Sequence, residues 1–151
     1  MTRPLLAGDI VGLRSASDAQ PSPDGRRIAY VVTELDVSAD VSRSSVWCID
    51  AQGGRPSRLS QDASQPRWSP DGRSLAFVSA RECGSQIWRL EIDRPGEPRR
   101  LTDVPGGVTG PPVWSPDGGR IACTARVASA DAGAPRVIRR LRYRRLVLAY
   151  S

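Results

Sequence analysis

Residues 68–77 read WSPDGRSLAF, and the phrase returns as PSPDGRRIAY at 21–30 and as WSPDGGRIAC at 114–123. The serine of the shared S-P-D-G core falls at Ser22, Ser69 and Ser115, in steps of 47 and 46 residues. A fixed period of about that length points to a propeller or solenoid. The core itself is turn chemistry. Pro23, Pro70 and Pro116 preset φ near −65° for the first central position of a tight turn. Asp24, Asp71 and Asp117 suit the second position, where a carboxylate can bond nearby backbone. Gly25, Gly72 and Gly118 accept positive φ without a Cβ clash. Each phrase is therefore predicted to fold one strand back on the next as a hairpin. These aspartates read as turn residues rather than metal ligands.

Working outward, other landmarks hold the same register. SVWCID at 45–50 answers QIWRLEID at 86–93, which sets Trp47 opposite Trp88. RPSRLS at 55–60 answers EPRRLT at 97–102, which sets Leu59 opposite Leu101. Each repeat thus carries four short segments, the content of one four-stranded propeller blade. The first repeat has extra residues, ELDVSADVSRS at 34–44, which read as an extended surface loop. The runs after the turn, RIAYVV and SLAFVS, are nearly all apolar. A half-covered strand would alternate, whereas a strand covered on both faces need not. Tyr30, Trp47, Trp68, Phe77, Trp88 and Trp114 are expected to fill the gaps between blades.

The fold expected is all-β: a partial propeller of antiparallel blades, two complete and the first half of a third. Residues 1–13 form a lead-in, 14–60 the first blade, 61–107 the second, and 108–151 an incomplete third with a basic C-terminal segment. Apolar content of 39% with 14 Gly and 13 Pro agrees with short strands and many turns rather than long helices. No stretch is apolar for the roughly 18 residues of a membrane span. The N-terminus lacks the apolar core of a secretory signal, so a cytoplasmic location is expected.

Charge is unevenly placed. The net charge is +6, yet residues 136–151 hold six arginines and no acid, while the other 135 residues carry 16 arginines and 16 acids. The body therefore has no bias toward nucleic acid. Arg140-Leu141-Arg142-Tyr143-Arg144 alternates as a strand with one basic face would. Read from the residues alone, it is a candidate for opportunistic polyanion binding. No specific nucleic-acid site and no membrane association are expected. The cysteines, Cys48, Cys83 and Cys123, are dispersed and odd in number, and histidine is absent, so the chain alone cannot build a four-ligand zinc site. Cys123 stands where the other repeats have Tyr30 and Phe77 and reads as a buried apolar residue.

Catalytic chemistry has no vehicle in these residues. A serine triad needs a base, and the chain has neither His nor Lys. The string nearest a nucleophile elbow, GGVTG at 106–110, has Thr at the fourth position and reads more simply as a turn. No phosphate-cradling G-x-x-x-x-G-K-[ST] loop occurs. Asp36, Asp40, Glu82 and Asp103 read as solvated loop acids. No catalytic residue, cofactor or metal ligand is predicted.

At SPDGRRIAYVVTELD, RSSVWCIDAQGG, PRWSPDGRSLAFVSAR and GVTGPPVWSPDGGRIACTAR the chain resembles the N-terminal propeller of prolyl oligopeptidase-family serine peptidases, nearest the acylaminoacyl-peptidase type. PRVIRRLRYRR at 135–145 resembles a stretch these peptidases insert in the third blade, which implies that it is part of the propeller rather than a polyanion site. The resemblance spans about residues 14–145. It implies a propeller that caps an α/β-hydrolase domain, gates peptide substrate and supports the catalytic domain. It also implies missing partners: the remaining blades and the hydrolase domain. The chain departs from the family in stopping before the third blade is complete, so a truncated product is expected, with self-association or partial disorder in isolation. The alternative is a non-catalytic TolB-like propeller used for protein binding, since S-P-D-G blades occur there too. A degenerate product, poorly accumulated, is a third reading.

Overall fold

The three S-P-D-G phrases form three copies of one turn in the structure, a computed structural model that describes residues 12–82, 84–94, 96–125 and, through the backbone, 146–150. The arginine-rich stretch 135–145, most of the lead-in, and Cys83 lie outside the described residues. At each turn the glycine N–H donates to the serine carbonyl, at 2.9 Å for Gly25–Ser22, Gly72–Ser69 and Gly118–Ser115. The glycines have φ of 69°, 70° and 70°, the left-handed region that a Cβ would strain.

Each turn joins the first two strands of an antiparallel sheet. The first sheet is β1 (Arg14–Pro21), β2 (Arg27–Asp36), β3 (Val41–Asp50) and β4 (Ser57–Gln61), in chain order. The second is β5 (Ala63–Trp68), β6 (Ser74–Ser79), β7 (Gln86–Glu91) and β8 (Arg99–Arg100). The third holds β9 (Val113–Trp114) and β10 (Ile121–Ala125), with β11 (Leu146–Tyr150) paired antiparallel on the other edge of β10. The third blade thus has three strands rather than the expected half. The equivalence read from sequence appears as register: Tyr30 lies opposite Trp47, and Phe77 opposite Trp88.

The acidic insert of the first repeat is not an extended loop. β2 and β3 run on through it as a hairpin of two ten-residue strands, with Glu34 opposite Arg43 and Asp36 opposite Val41. Side chains hold this extension together. The Thr33 and Ser44 hydroxyls lie 3.0 Å apart, Arg43 donates to Asp36 at 3.0 Å, and Arg14 pairs with Glu34 at 3.2 Å. The turn proper is tied by Asp36, which accepts from the Ser38 hydroxyl at 2.6 Å and the Ala39 N–H at 3.2 Å. Conversely, β8 is shorter than β4. Past Arg100 the Thr102 hydroxyl, not a backbone carbonyl, accepts from the Ile87 N–H at 2.9 Å.

The core lies between sheets. Ala29, Val31, Val46 and Cys48 of the first blade meet Trp68, Leu75, Phe77, Trp88 and Leu90 of the second. The second blade turns Ala76, Val78 and Ile87 the other way, onto Ile121, Cys123 and Ala125. Successive residues of a strand point to opposite faces, so all six residues of β6 are buried. β2 shows what happens when one face lacks a neighbour. Ala29 and Val31 are buried toward the second blade, while Ile28, Tyr30 and Val32 on the other face are only half-buried, as are Trp47 and Ile49. The chain is a partial propeller: sheets stacked side by side, with no closed ring.

Candidate functional site

The arrangement common to the described blades is the seam between neighbouring sheets. Four kinds of contact build it, and two recur. In the turns, a Cβ on Gly72 would lie 3.6 Å from Cδ of Pro23, and one on Gly118 would lie 3.6 Å from Cδ of Pro70. The turns therefore follow one another along one rim of the stack. Beside them, the indole of Trp68 donates to the carbonyl of Gln20 at 2.9 Å, and that of Trp114 to the carbonyl of Arg67 at 3.0 Å. In each case the tryptophan before S-P-D-G reaches the residue two before S-P-D-G in the preceding blade. In the first repeat the same position is Pro21, which has no such donor.

The third contact occurs at the first seam. β1 and β5 each bulge, with Asp18 and Gln65 at φ of 47° and 55°. The bulge aims the Asp18 carboxylate at Arg67, whose Nη1 lies 3.0 Å from it. Gln20 Nε2 donates to the same carboxylate at 2.9 Å. Further out, Arg27 Nη1 meets Asp93 at 2.9 Å. Sequence reading missed the Asp18–Arg67 pair. Its signal was present, since Asp18 and Gln65 hold the same place in their repeats, but a bulge at a non-glycine residue has no reliable sequence mark.

The turn aspartates are occupied by the turn. Asp24 Oδ1 accepts from the Ser22 hydroxyl at 2.6 Å and the Arg26 N–H at 3.1 Å, and Asp71 does the same with Ser69 and Arg73. Asp117 accepts from Ser115 at 2.5 Å and the Gly119 N–H at 2.9 Å. The serine hydroxyls, then the backbone N–H groups, hold all three carboxyls below the usual carboxylate range. Among the described residues no group of three or more His, Cys, Asp or Glu is placed to hold a metal, and no helix is long and apolar enough to cross a membrane. Cys48 and Cys123 are buried free thiols, and burial pushes both upward in pKa.

The six aromatic positions divide. Trp68, Phe77 and Trp88 are buried in the first seam, and Trp114 is partly buried at the second. Tyr30 and Trp47 lie on the uncovered face of the first blade. Trp47 donates to the Ser45 hydroxyl at 3.0 Å, whereas its counterpart Trp88 has a buried indole N–H with no partner among the described residues. The residue two before Trp88 is Gln86, and its amide is committed elsewhere. It accepts from Thr102 at 2.7 Å and from the Val104 N–H at 3.0 Å, and donates to the Val104 carbonyl at 3.0 Å.

Comparison with known proteins places this arrangement. The TolB beta propeller domain family matches residues 10–139. The uncharacterized peptidase YuxL of Bacillus subtilis (strain 168) is 37% identical over 134 residues, which cover 87% of this chain and 20% of YuxL. The Tol-Pal system protein TolB of Legionella pneumophila (strain Corby) is 33% identical over 83 residues, 53% of this chain and 19% of TolB. Among solved structures, an acylaminoacyl peptidase in complex with Z-Gly-Gly-Phe-chloromethyl ketone superposes with a TM-score of 0.70 at 20% identity, over 86% of this chain and 21% of that one. The chain spans about a fifth of the length of these relatives. It belongs to the TolB β-propeller family.

Proposed function

We propose that the chain forms the opening blades of a propeller that gates peptide access to an α/β-hydrolase domain and supports that domain. The parent activity is peptide-bond hydrolysis, with nucleophile, base and acid supplied outside these 151 residues. The likeness to YuxL carries the reading, because it extends over most of this chain and through all three turns. The chemistry is consistent with it: a chain with no His and no Lys has no base for a serine nucleophile. The half-buried face at Tyr30 and Trp47 suits a further blade, and in isolation it favours self-association. Buried free thiols suit the cytoplasm.

A TolB-like protein-binding propeller without catalysis is the second reading, supported by the family match and by the likeness to TolB. Translating the DNA beyond codon 151 in all frames separates the two. A G-x-S-x-G string followed by Asp and His supports the gating role. Further S-P-D-G repeats alone support the binding module. By itself the chain is expected to release no product from acyl-peptide p-nitroanilides. Turnover that survives repurification would refute the assignment.

A further inference from the structure

A crevice of about 420 Å³ opens where the first blade hands over to the second. β4 contributes Arg58, Ser60 and Gln61, the crossover contributes Asp62, and the β6–β7 connection contributes Arg81. Leu59 and Pro98 form its apolar flanks. Arg81 is held in place before any ligand arrives. Its guanidinium stacks on Trp88, 4.6 Å from the ring centroid, Nε donates to the Ser79 hydroxyl at 3.2 Å, and Nη2 donates to the Ser60 hydroxyl. A guanidinium has five N–H donors, so most of its fork is left over. Among the described residues neither Arg81 nor Arg58 meets a carboxylate within ion-pair distance. Several other arginines of these two blades are paired: Arg14 with Glu34, Arg43 with Asp36 and Asp62, and Arg100 with Glu82 and Asp103.

We propose that this crevice is a binding site for a carboxylate on a peptide, gripped between Arg58 and Arg81. The charge count selects the ligand. Arg58 and Arg81 line the crevice with Asp62, whose carboxylate lies 3.6 Å from Arg43, itself paired with Asp36; these three arginines and two aspartates leave one net positive charge, matched to a single carboxylate rather than a phosphate dianion. The adjoining crevice, about 230 Å³, shares Arg58, Gln61 and Asp62 and runs toward the long hairpin. Its remaining charges add little, because Glu34 is paired with Arg14 and Arg43 with Asp36 and Asp62. The two spaces make a continuous groove in which an extended peptide can lie, with Gln61 available to its backbone and Leu59 and Pro98 to its apolar side chains. The site rests on this chain's own residues and is independent of the gating role.

Calorimetric titration of the full 151-residue chain tests it. The probes are end-capped Ala-Ala-Glu-Ala-Ala, its Gln counterpart with capped ends, the Gln peptide with a free C-terminus, acetate and inorganic phosphate. The capped Glu peptide is expected to bind at least tenfold tighter than the capped Gln peptide, and the free-terminus peptide shows whether a main-chain carboxylate serves as well. Arg58→Gln and Arg81→Gln are each expected to weaken the Glu peptide about tenfold, the low end for a hydrogen bond to a charged group. Raising salt should weaken it further. Arg81→Gln also removes a contact with Trp88, so Arg58→Gln, whose side chain makes no hydrogen bond or ion pair among the described residues, is the decisive variant. Equal binding of both capped peptides, an unchanged affinity in Arg58→Gln, or tighter binding of phosphate or acetate than of the Glu peptide would overturn the proposal.

Discussion

Tyr30 and Phe77 hold the same place in their repeats, five residues after the turn glycine, yet truncating them should have very different costs. Phe77 has no exposed surface and is enclosed between two blades, while Tyr30 faces away from the second blade and is half-buried. Phe77→Ala loses the transfer free energy of the ring and leaves a cavity walled by Val31, Val46, Leu75 and Trp88, for about 3–5 kcal/mol. Tyr30→Ala leaves no enclosed cavity. Roughly half of the 1.5–3 kcal/mol for burying a large side chain is lost, about 1 kcal/mol. With a urea dependence of about 1.5–2 kcal/mol per molar for a chain of this size, the midpoints should fall by about 2 M for Phe77→Ala and about 0.5 M for Tyr30→Ala. Tryptophan fluorescence in urea at low micromolar concentration reads both. A Tyr30→Ala loss as large as that of Phe77→Ala would mean that the first blade is covered on both faces in solution, and the one-sided reading of β2 would fail.

Trp114→Phe keeps the ring and removes the donor to the Arg67 carbonyl, so it should cost about 1 kcal/mol in the same urea assay; a loss below about 0.3 kcal/mol would show that the indole bond does not hold the second seam. Gly72→Ala meets only ordinary contact with Pro23, so its cost is conformational, about 1–2 kcal/mol. Gly107→Ala adds a clash, because its Cβ would lie 3.0 Å from the Ser85 carbonyl oxygen and 3.1 Å from Ser85 N, and its midpoint should fall further than that of Gly72→Ala. The carboxyls of Asp24, Asp71 and Asp117 are lowered by their serine and backbone donors, and Asp36 is held at about 2 by Ser38 and then Arg43. The unfolded chain therefore binds more protons than the folded one at acid pH, so these groups contribute fully above about pH 4 and their contribution disappears as pH falls through the folded values. Acid unfolding followed by fluorescence should shift to lower pH in Asp71→Asn, where one such group is removed, when each curve is referred to its own neutral-pH stability.

The repeat was legible because turn chemistry is local. Pro, Asp and Gly at successive positions dictate their own φ values, and the serine hydroxyl that fastens the turn is within reach in any context. The same holds for the two-sided burial of SLAFVS, which a run without polar alternation announces. The acidic insert misled because ELDVSADVSRS has turn-forming composition, while its pairing comes from cross-strand partners such as Thr33 with Ser44 and Glu34 with Arg43, which composition does not display. The short β8 escaped for a related reason: a threonine hydroxyl replaces a ladder carbonyl at Ile87.

By itself the sequence determined the unit, a four-stranded antiparallel blade hinged on S-P-D-G, and excluded a catalytic triad by containing neither His nor Lys. Only the tertiary structure decided which equivalent residues are equivalent in energy. Tyr30 and Phe77, or Trp47 and Trp88, differ because burial depends on the presence of a neighbouring sheet, which lies some 47 residues away in the chain. It also decided where charges meet. Asp18 faces Arg67, and among the described residues Arg58 and Arg81 have no carboxylate within ion-pair distance, because bulges and crossovers aim side chains across seams that no local pattern records.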